Sequence, residues 1–533
     1  MKLAGWIDRL NRERPLGILI VLFLVAFALW GSFCLVDSPG FSVDEAGIIA
    51  PALSFYHHGY LATAQAGPGF GHEDSYFFQT PLHPIVLAEY FKLVGADLWQ
   101  GRLLSLMLAV VVLILIYLAM RPFGRLACLL AMVVLSVDWL FTYRAREIRY
   151  DWLALIGMLA AFILLREVWC SRDPAEKQVK PFRCLAAGLL LGMAANSHVL
   201  SLLYVFSFAL LLLLFPWGRK NWGWHRLYRA ALFSAAFLLA MVPFALYAWR
   251  HPLGFEQQFL FMVKLHGGES PSSSSWILAE AGKYWEYYRW TPAWLVLMVV
   301  ALGYGLIAGK ESFQGRNQEP AATKRALFQV VLVLAILIPA LLAVVSKHQP
   351  WHHLFAVPVW SMFVSAALVH SRARPRSRVW FTVLASFYFL AVANGLLLNW
   401  GYRSYAAWAG RGSRFSPALM DQVKAVVPRG SVVYGPYYLI FLADQQNWKF
   451  IFNIDYLLKD MDAIAQIPFD YLLFCGSLVD RQLFPDRRLA DYELLTEVKA
   501  PAPAPILKKL NPKYYPVDLK IYLRKSELPR KSF

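Results

Sequence analysis

The stretch PLGILIVLFLVAFALWGSFCLVDSPGFSVDEAGIIA (Pro15–Ala50) decides how the chain is read. Up to Val36 it is an apolar run, and a helix needs about 20 such residues to cross the hydrocarbon of a bilayer. The run is too long for a cleavable leader and lacks a small-residue cleavage site, so it is expected to remain as a span. Beyond Val36 the chain turns polar and aromatic and carries two adjacent carboxylates, Asp44 and Glu45. A lipid-using enzyme would keep its base at such an address, just outside the membrane.

The rest of the sequence repeats the first signal. Of the 533 residues 58% are hydrophobic and 16% charged, with a mean hydropathy of +0.46, which excludes an ordinary soluble globular chain. Spans are expected at roughly 15–36, 101–120, 125–143, 150–168, 184–198, 199–215, 230–249, 291–309, 326–345, 353–370 and 378–400, about eleven in all. The fifth and sixth are short and joined by Asn196-Ser197-His198, so one broken or re-entrant element is an alternative there. The predicted class is an all-α polytopic membrane protein with a C-terminal soluble α/β domain, divided as 1–400 and 401–533.

Basic residues accumulate in cytoplasmic loops, which orients these spans. With the N-terminus inside, every inside segment is basic. The first outside loop (37–100) holds Lys92 as its only lysine or arginine. Asp44 and the chain after Trp400 then fall outside. The loop is too long for a plain connector. Its segment HPIVLAEYFKLVG (His83–Gly95) has helical apolar spacing but is too short to cross, so it is predicted to lie along the interface.

YRAREIRYD (Tyr143–Asp151) is the exception, placing Arg144, Arg146 and Arg149 on the outside beside Glu147 and Asp151. Two readings account for it: an anionic ligand such as a lipid phosphate, or an ion-pair cluster capping two helices. After about Gly401 the pattern changes. SPALMDQVKAVVPRGSVVYGP (Ser416–Pro436) reads as helix, turn and strand, and FDYLLFCG, YELLTEV and DLKIYLRK read as further strands. The formal charge of +18 is largely that of the cytoplasmic loops, so membrane lipids rather than nucleic acid are the expected counter-charge. Cys34, Cys128, Cys170, Cys184 and Cys475 show no CxxC spacing, so neither a disulfide nor a zinc site is expected.

Several of these features together carry a resemblance. The acidic pair after the first span, the Pro-Leu step into an interfacial helix (Thr80–Leu82), a glycine-to-arginine spacing close to Gly95–Arg102, an Arg followed by Asp at the head of a later span, and GLLLGMAANSH (Gly188–His198) occur in order. Over roughly residues 30–215 this resembles the protein O-mannosyltransferase-like glycosyltransferases of the GT-C fold, a superfamily with bacterial relatives such as the lipid A aminoarabinose transferase.

The resemblance implies inverting transfer of a sugar from a polyprenyl-phosphate donor to a lipid, glycan or protein acceptor. The reaction would lie on the outer side of the cytoplasmic (inner) membrane. A hydroxyl acceptor needs a carboxylate to take its proton, and the departing phosphate needs positive charge. By family position Asp44 is the expected base, with Glu45 beside it as a repelling neighbour that tunes or positions it. Arg146 and Arg149 are the expected phosphate ligands, with Lys347 in SKHQPWHHLFAVPVW (Ser346–Trp360) as a second candidate against a snorkelling reading. His83, Asp151, His198 and His348 are read as lining the site. No cofactor is required in this reading; a divalent cation at His348, His352 and His353 is considered and not expected. The chain departs from the aminoarabinose transferases at Gln79-Thr80-Pro81, where they carry Lys before a double proline, which removes an expected phosphate contact. The rival class is a transporter or flippase for lipid-linked substrates, which would show duplicated halves and charges deep in several spans. A non-catalytic scaffold is the third.

Overall fold

The computed structural model describes residues 14–37, 39–63, 65, 74–170, 181–215, 224–260, 282–286, 288–289, 291–314, 319–344, 350–372, 377–409, 417–453, 464, 466–475, 483–499 and 518–527. Its first helix, α1 (Arg14–Ser32), leads through a short loop to α2 (Val43–His58) and α3 (Leu82–Val94). The bundle continues with α4 (Leu98–Met120), α5 (Arg125–Ser136), α6 (Trp139–Arg144), α7 (Asp151–Cys170), α8 (Pro181–Ala195), α9 (Leu202–Leu214) and α10 (Trp224–Arg250). It closes with α11 (Pro292–Gln314), α12 (Glu319–Val344), α13 (Val357–Arg372) and α14 (Arg378–Gly395).

Each of the stretches expected to cross contains a helix, and by length and composition five helices among the described residues suffice for a bilayer. The stretch 125–143 is not one helix. α5 stops at Ser136, and the Asp138 carboxylate accepts the N–H groups of Leu140 (2.9 Å) and Phe141 (3.0 Å), capping α6 as a separate helix. The carbonyls freed by that break are taken up from α14's continuation: Asn399 Nδ2 donates to Val137 O (2.7 Å) and Trp400 Nε1 to Ser136 O (3.0 Å).

GLLLGMAANSH has a plain packing cause. A Cβ on Gly188 would stand 2.2 Å from Phe233 O, and one on Gly192 would stand 2.4 Å from the Ala240 Cβ, so the two glycines let α8 and α10 touch backbone to backbone. The helix ends at Ala195, and the following turn ties three elements together. Asn196 Nδ2 donates to Gly192 O and Ala240 O (2.9 Å each), Leu82 N donates to Asn196 O (2.9 Å), and Ser197 Oγ donates to Tyr150 O (2.7 Å).

The C-terminal part forms a five-stranded sheet in the order β2-β1-β3-β5-β4 from β1 (Val432–Pro436), β2 (Lys449–Asn453), β3 (Tyr471–Phe474), β4 (Tyr492–Val498) and β5 (Leu519–Arg524). β1 is parallel to both β2 and β3, and β5 is antiparallel to β3 and β4. The four strands read from the sequence are all present; β2 is the addition, a short strand beside β1. This part does not stand apart from the helices. Val423, Leu439, Phe441 and Phe450 share one apolar core with Ile49, Leu53, Leu87 and Phe91 of α2 and α3. The Phe91 and Phe441 rings meet edge to face at 6.0 Å, Phe41 stacks on Tyr437, and His57 Nε2 lies 2.7 Å from Asp444 Oδ1. The helix that begins at the acidic pair is therefore gripped at both ends.

Candidate active site

α2 begins with a capping box: Ser42 Oγ accepts Glu45 N–H (3.3 Å) and Glu45 Oε2 accepts Ser42 N–H (3.0 Å). Consecutive residues in a first helical turn point about 100° apart, so the two acids leave the helix in different directions. Glu45 goes inward and is fully buried. Its Oε1 accepts Arg102 Nε (2.9 Å) and Ile148 N–H (3.0 Å), and its Oε2 accepts Arg102 Nη2 (2.7 Å) as well as the cap. Arg102, also fully buried, spends its remaining nitrogen on the carbonyls of Leu35 (2.8 Å), Val36 (3.2 Å) and Pro39 (2.7 Å). The expected pair of repelling acids is thus replaced by two acids with an arginine each, and Glu45 is the clasp that fixes the loop between α1 and α2.

Asp44 points to the accessible side, with its side chain 31% exposed, and its Oδ2 lies 2.6 Å from Arg149 Nη1. Arg149 is buried. Its Nε reaches Asp151 Oδ2 at 2.8 Å and its guanidinium lies 4.7 Å from the Tyr150 ring centroid. Asp151 Oδ1 stands 3.4 Å from His198 Nε2, and His198 Nδ1 accepts Leu200 N–H (3.0 Å), which puts the proton of a neutral ring on Nε2, facing the carboxylate. Asp44, Arg149, Asp151 and His198 therefore form one line of contacts drawn from α2, the loop before α7, α7 itself and the turn after α8.

The other sequence-named residues take different places. Arg146 turns toward α1, where Nη2 donates to Phe33 O (2.5 Å) and Cys34 O (3.1 Å) and the guanidinium lies over Trp30. Arg144 pairs with Glu147, whose carboxyl burial pushes above the ordinary range while Arg144 draws it back. The cluster at 144–151 is thus an ion-pair network and a candidate ligand site at once, with Arg149 as the member that meets Asp44. Lys347 and His348 lie outside the described residues. His352 faces His198 with 6.2 Å between ring centroids, and His353 packs on Tyr284 at 4.0 Å. Among the described residues no group of three or more His, Cys, Asp or Glu side chains has the geometry to hold a metal.

Two polar groups on this wall escaped the sequence reading. Gln79 Nε2 lies 3.4 Å from the Tyr150 hydroxyl, which in turn lies 3.5 Å from Arg149 Nη2. Tyr150 was legible only as the residue between an Arg and an Asp, and Gln79 only as the residue where a lysine was lacking. Beside them His83 is fully buried, and neither of its ring nitrogens nor the Thr80 hydroxyl has a hydrogen-bond partner among the described residues. Burial holds the His83 imidazole neutral, lowering its pKa to about 3 against the raising effect of Asp151, with Arg149 acting in the same direction as burial. The unfolded chain takes up this proton near the ordinary imidazole value of 6.5 and the folded one only near 3. Stability therefore falls as pH drops through that window. The wild-type melting temperature is expected to drop by about 1–3 °C more than that of His83→Leu between about pH 7 and pH 5. Parallel melting curves for the two proteins would show that His83 carries no such penalty.

On the far side of the Pro81–His83 step lies an apolar cavity of about 870 Å³ between α3, α8 and α10, walled by Leu61, Leu82, Ile85, Phe244 and Tyr247. Its polar lining is sparse, with Asp74, Asn196 and His251, and no lysine or arginine among the described residues borders it. Such a space accepts a hydrocarbon chain more readily than a phosphate.

Residues 78–259, which include this wall, the arginine loop and the glycine-rich turn, match the family model described as dolichyl-phosphate-mannose-protein mannosyltransferase. No curated protein matches the chain by sequence. Among solved structures, ArnT from Cupriavidus metallidurans bound to undecaprenyl phosphate aligns with a TM-score of 0.55 and 14% identity over 94% of this chain and 97% of that one. Its apo state aligns over the same shares at 0.54 and 14% identity. The S. cerevisiae protein O-mannosyltransferase Pmt1-Pmt2 complex bound to the sugar donor aligns over 46% of this chain and 34% of that one, with 21% identity and a TM-score of 0.35.

Proposed function

We propose that this chain, a multi-pass membrane glycosyltransferase of the GT-C class by its family match and its fold, moves a sugar from a polyprenyl-phosphate donor to a cell-envelope acceptor, with Asp44 as the base. The observation that carries the reading is the contact of a partly exposed carboxylate with a buried guanidinium, Asp44 with Arg149, linked through Tyr150 and Gln79 to the Pro81–Leu82 step that lines an apolar cavity. The donor's prenyl chain occupies the cavity, its phosphate lies toward Arg149, Tyr150 and Gln79, and the acceptor hydroxyl approaches Asp44 from the accessible side. Asp44 takes the hydroxyl proton as the oxygen attacks C1, and the phosphate leaves from the opposite face with inversion. The reaction lies on the outer side of the cytoplasmic membrane, with the N-terminus inside and the sheet domain outside, as the distribution of basic loops supports. The acceptor is a lipid, a glycan or a protein hydroxyl.

The test is to incubate the purified full chain with a panel of polyprenyl-phosphate sugars and follow released polyprenyl phosphate by mass spectrometry, with and without envelope acceptors. Turnover of at least one donor is expected. A panel left intact, with no donor bound, would sink the reading and return the transporter class to the front.

A further inference from the structure

Arg149 has no charge to spare in the resting protein. It is buried and shared between two carboxylates, Asp151 at 2.8 Å and Asp44 at 2.6 Å, and of these three groups only Asp44 is substantially exposed. The two contacts are not alike. Asp151 sits at the head of α7, buried and braced by His198, whereas Asp44 hangs from the first turn of α2 with Arg149 as its one ion-pair partner among the described residues. An arriving phosphate therefore meets an arginine already covered by a carboxylate of its own sign.

From this geometry, and resting on the reading of the site given above, we propose that Asp44 and Arg149 form a charge switch, in which protonation of the base releases the guanidinium to the departing phosphate. The bookkeeping of the step supports it. The acceptor O–H proton passes to an Asp44 carboxylate oxygen, the freed electron pair forms the new O–C1 bond, and the C1–O bond to phosphate breaks with its pair left on the phosphate. Asp44 goes from minus one to zero while the lipid phosphate goes from a singly charged diester to a monoester carrying up to one more negative charge. The positive charge that Asp44 gives up is the charge the leaving group needs, and Arg149, touching the former, needs no large movement to serve the latter. Before proton transfer the same pairing keeps the phosphate loosely held, so the interaction is stronger in the transition state than in the ground state, which is the condition for accelerating the chemical step.

The consequence runs against the usual effect of removing a catalytic group. Asp44→Asn imitates the protonated base permanently. It should bind a polyprenyl monophosphate more tightly than wild type, by about three- to tenfold, while failing to turn over a donor. Binding is measured with the full chain in nanodiscs against a polyprenyl monophosphate, with the uncharged polyprenol as control, for wild type, Asp44→Asn, Asp44→Ala, Arg149→Gln and the Asp44→Asn/Arg149→Gln pair. The gain should appear in both Asp44 variants, be absent for the polyprenol, and vanish when Arg149 is already Gln. Equal or weaker binding by both Asp44 variants, or a gain that persists without Arg149, overturns the switch. Absence of any polyprenyl monophosphate binding by wild type overturns the reading of the site as well, so the two failures are told apart.

Discussion

Asp44→Asn is expected to lower sugar transfer by roughly 10²–10⁴-fold, the usual worth of a positioned general base. The substitution keeps size and shape. It leaves untouched the interactions that hold the loop, because the capping box, the Arg102 fork and the Ile148 N–H all belong to Glu45. Asp44 itself contributes one partly exposed ion pair, whose loss costs at most about 1 kcal/mol of stability. Activity and folding are thus separable at this position, which is uncommon within an ion-pair cluster. Transfer of a labelled sugar, read beside a melting curve, distinguishes the outcomes: near wild-type melting with lost transfer fits a base, while wild-type transfer would remove Asp44 from the chemistry and leave a different group to take the acceptor's proton.

How much of this was legible beforehand follows from what each signal depends on. The helices were readable because apolar runs of spanning length depend only on local composition, and the break at Val137–Asp138 was missed because it depends on one side chain capping α6 and on Asn399 and Trp400, far away in sequence, donating to the freed carbonyls. The same division holds within the site. Asp44 and Arg149 announced themselves as charges at a predicted outer surface, and the fold brings them to 2.6 Å. That Glu45 and Arg146 turn to structural bonding could not be read, since adjacent acids and neighbouring arginines look alike in one dimension, and which acid faces the accessible side and which arginine meets it is set by the 100° step of a helix and by the path of the loop. Arg102 shows the reverse. A spacing from Gly95 marked it, yet its partner, a carboxylate 57 positions earlier, lay beyond any local pattern. The C-terminal sheet followed the same rule: the strands read in the sequence had β-rich runs between clear turns, while β2 depends on lying parallel to β1, a long-range pairing.

The largest structural effect is expected at that clasp. Arg102→Leu should cost about 3–5 kcal/mol, because it strands the buried Glu45 carboxylate and orphans the carbonyls of Leu35, Val36 and Pro39 together. Arg102→Lys keeps the charge but not the fork. A lysine offers one nitrogen, so it can meet one Glu45 oxygen or the carbonyl trio, and the loop between α1 and α2 loses one of its two anchors. The energetic loss is then smaller while the functional loss persists, since α2 starts at Ser42 and any shift of its cap carries Asp44 with it. A displacement of about 1 Å at a reacting group can cost on the order of 10²-fold in rate. The expected signature of Arg102→Lys is therefore a fall in kcat with donor KM nearly unchanged, in a protein that still melts cooperatively in detergent. A kcat that stays at the wild-type level in such a folded variant would mean that Asp44 is positioned from the other end of α2, by the hold of Asp444 on His57, and not by the buried pair beneath it.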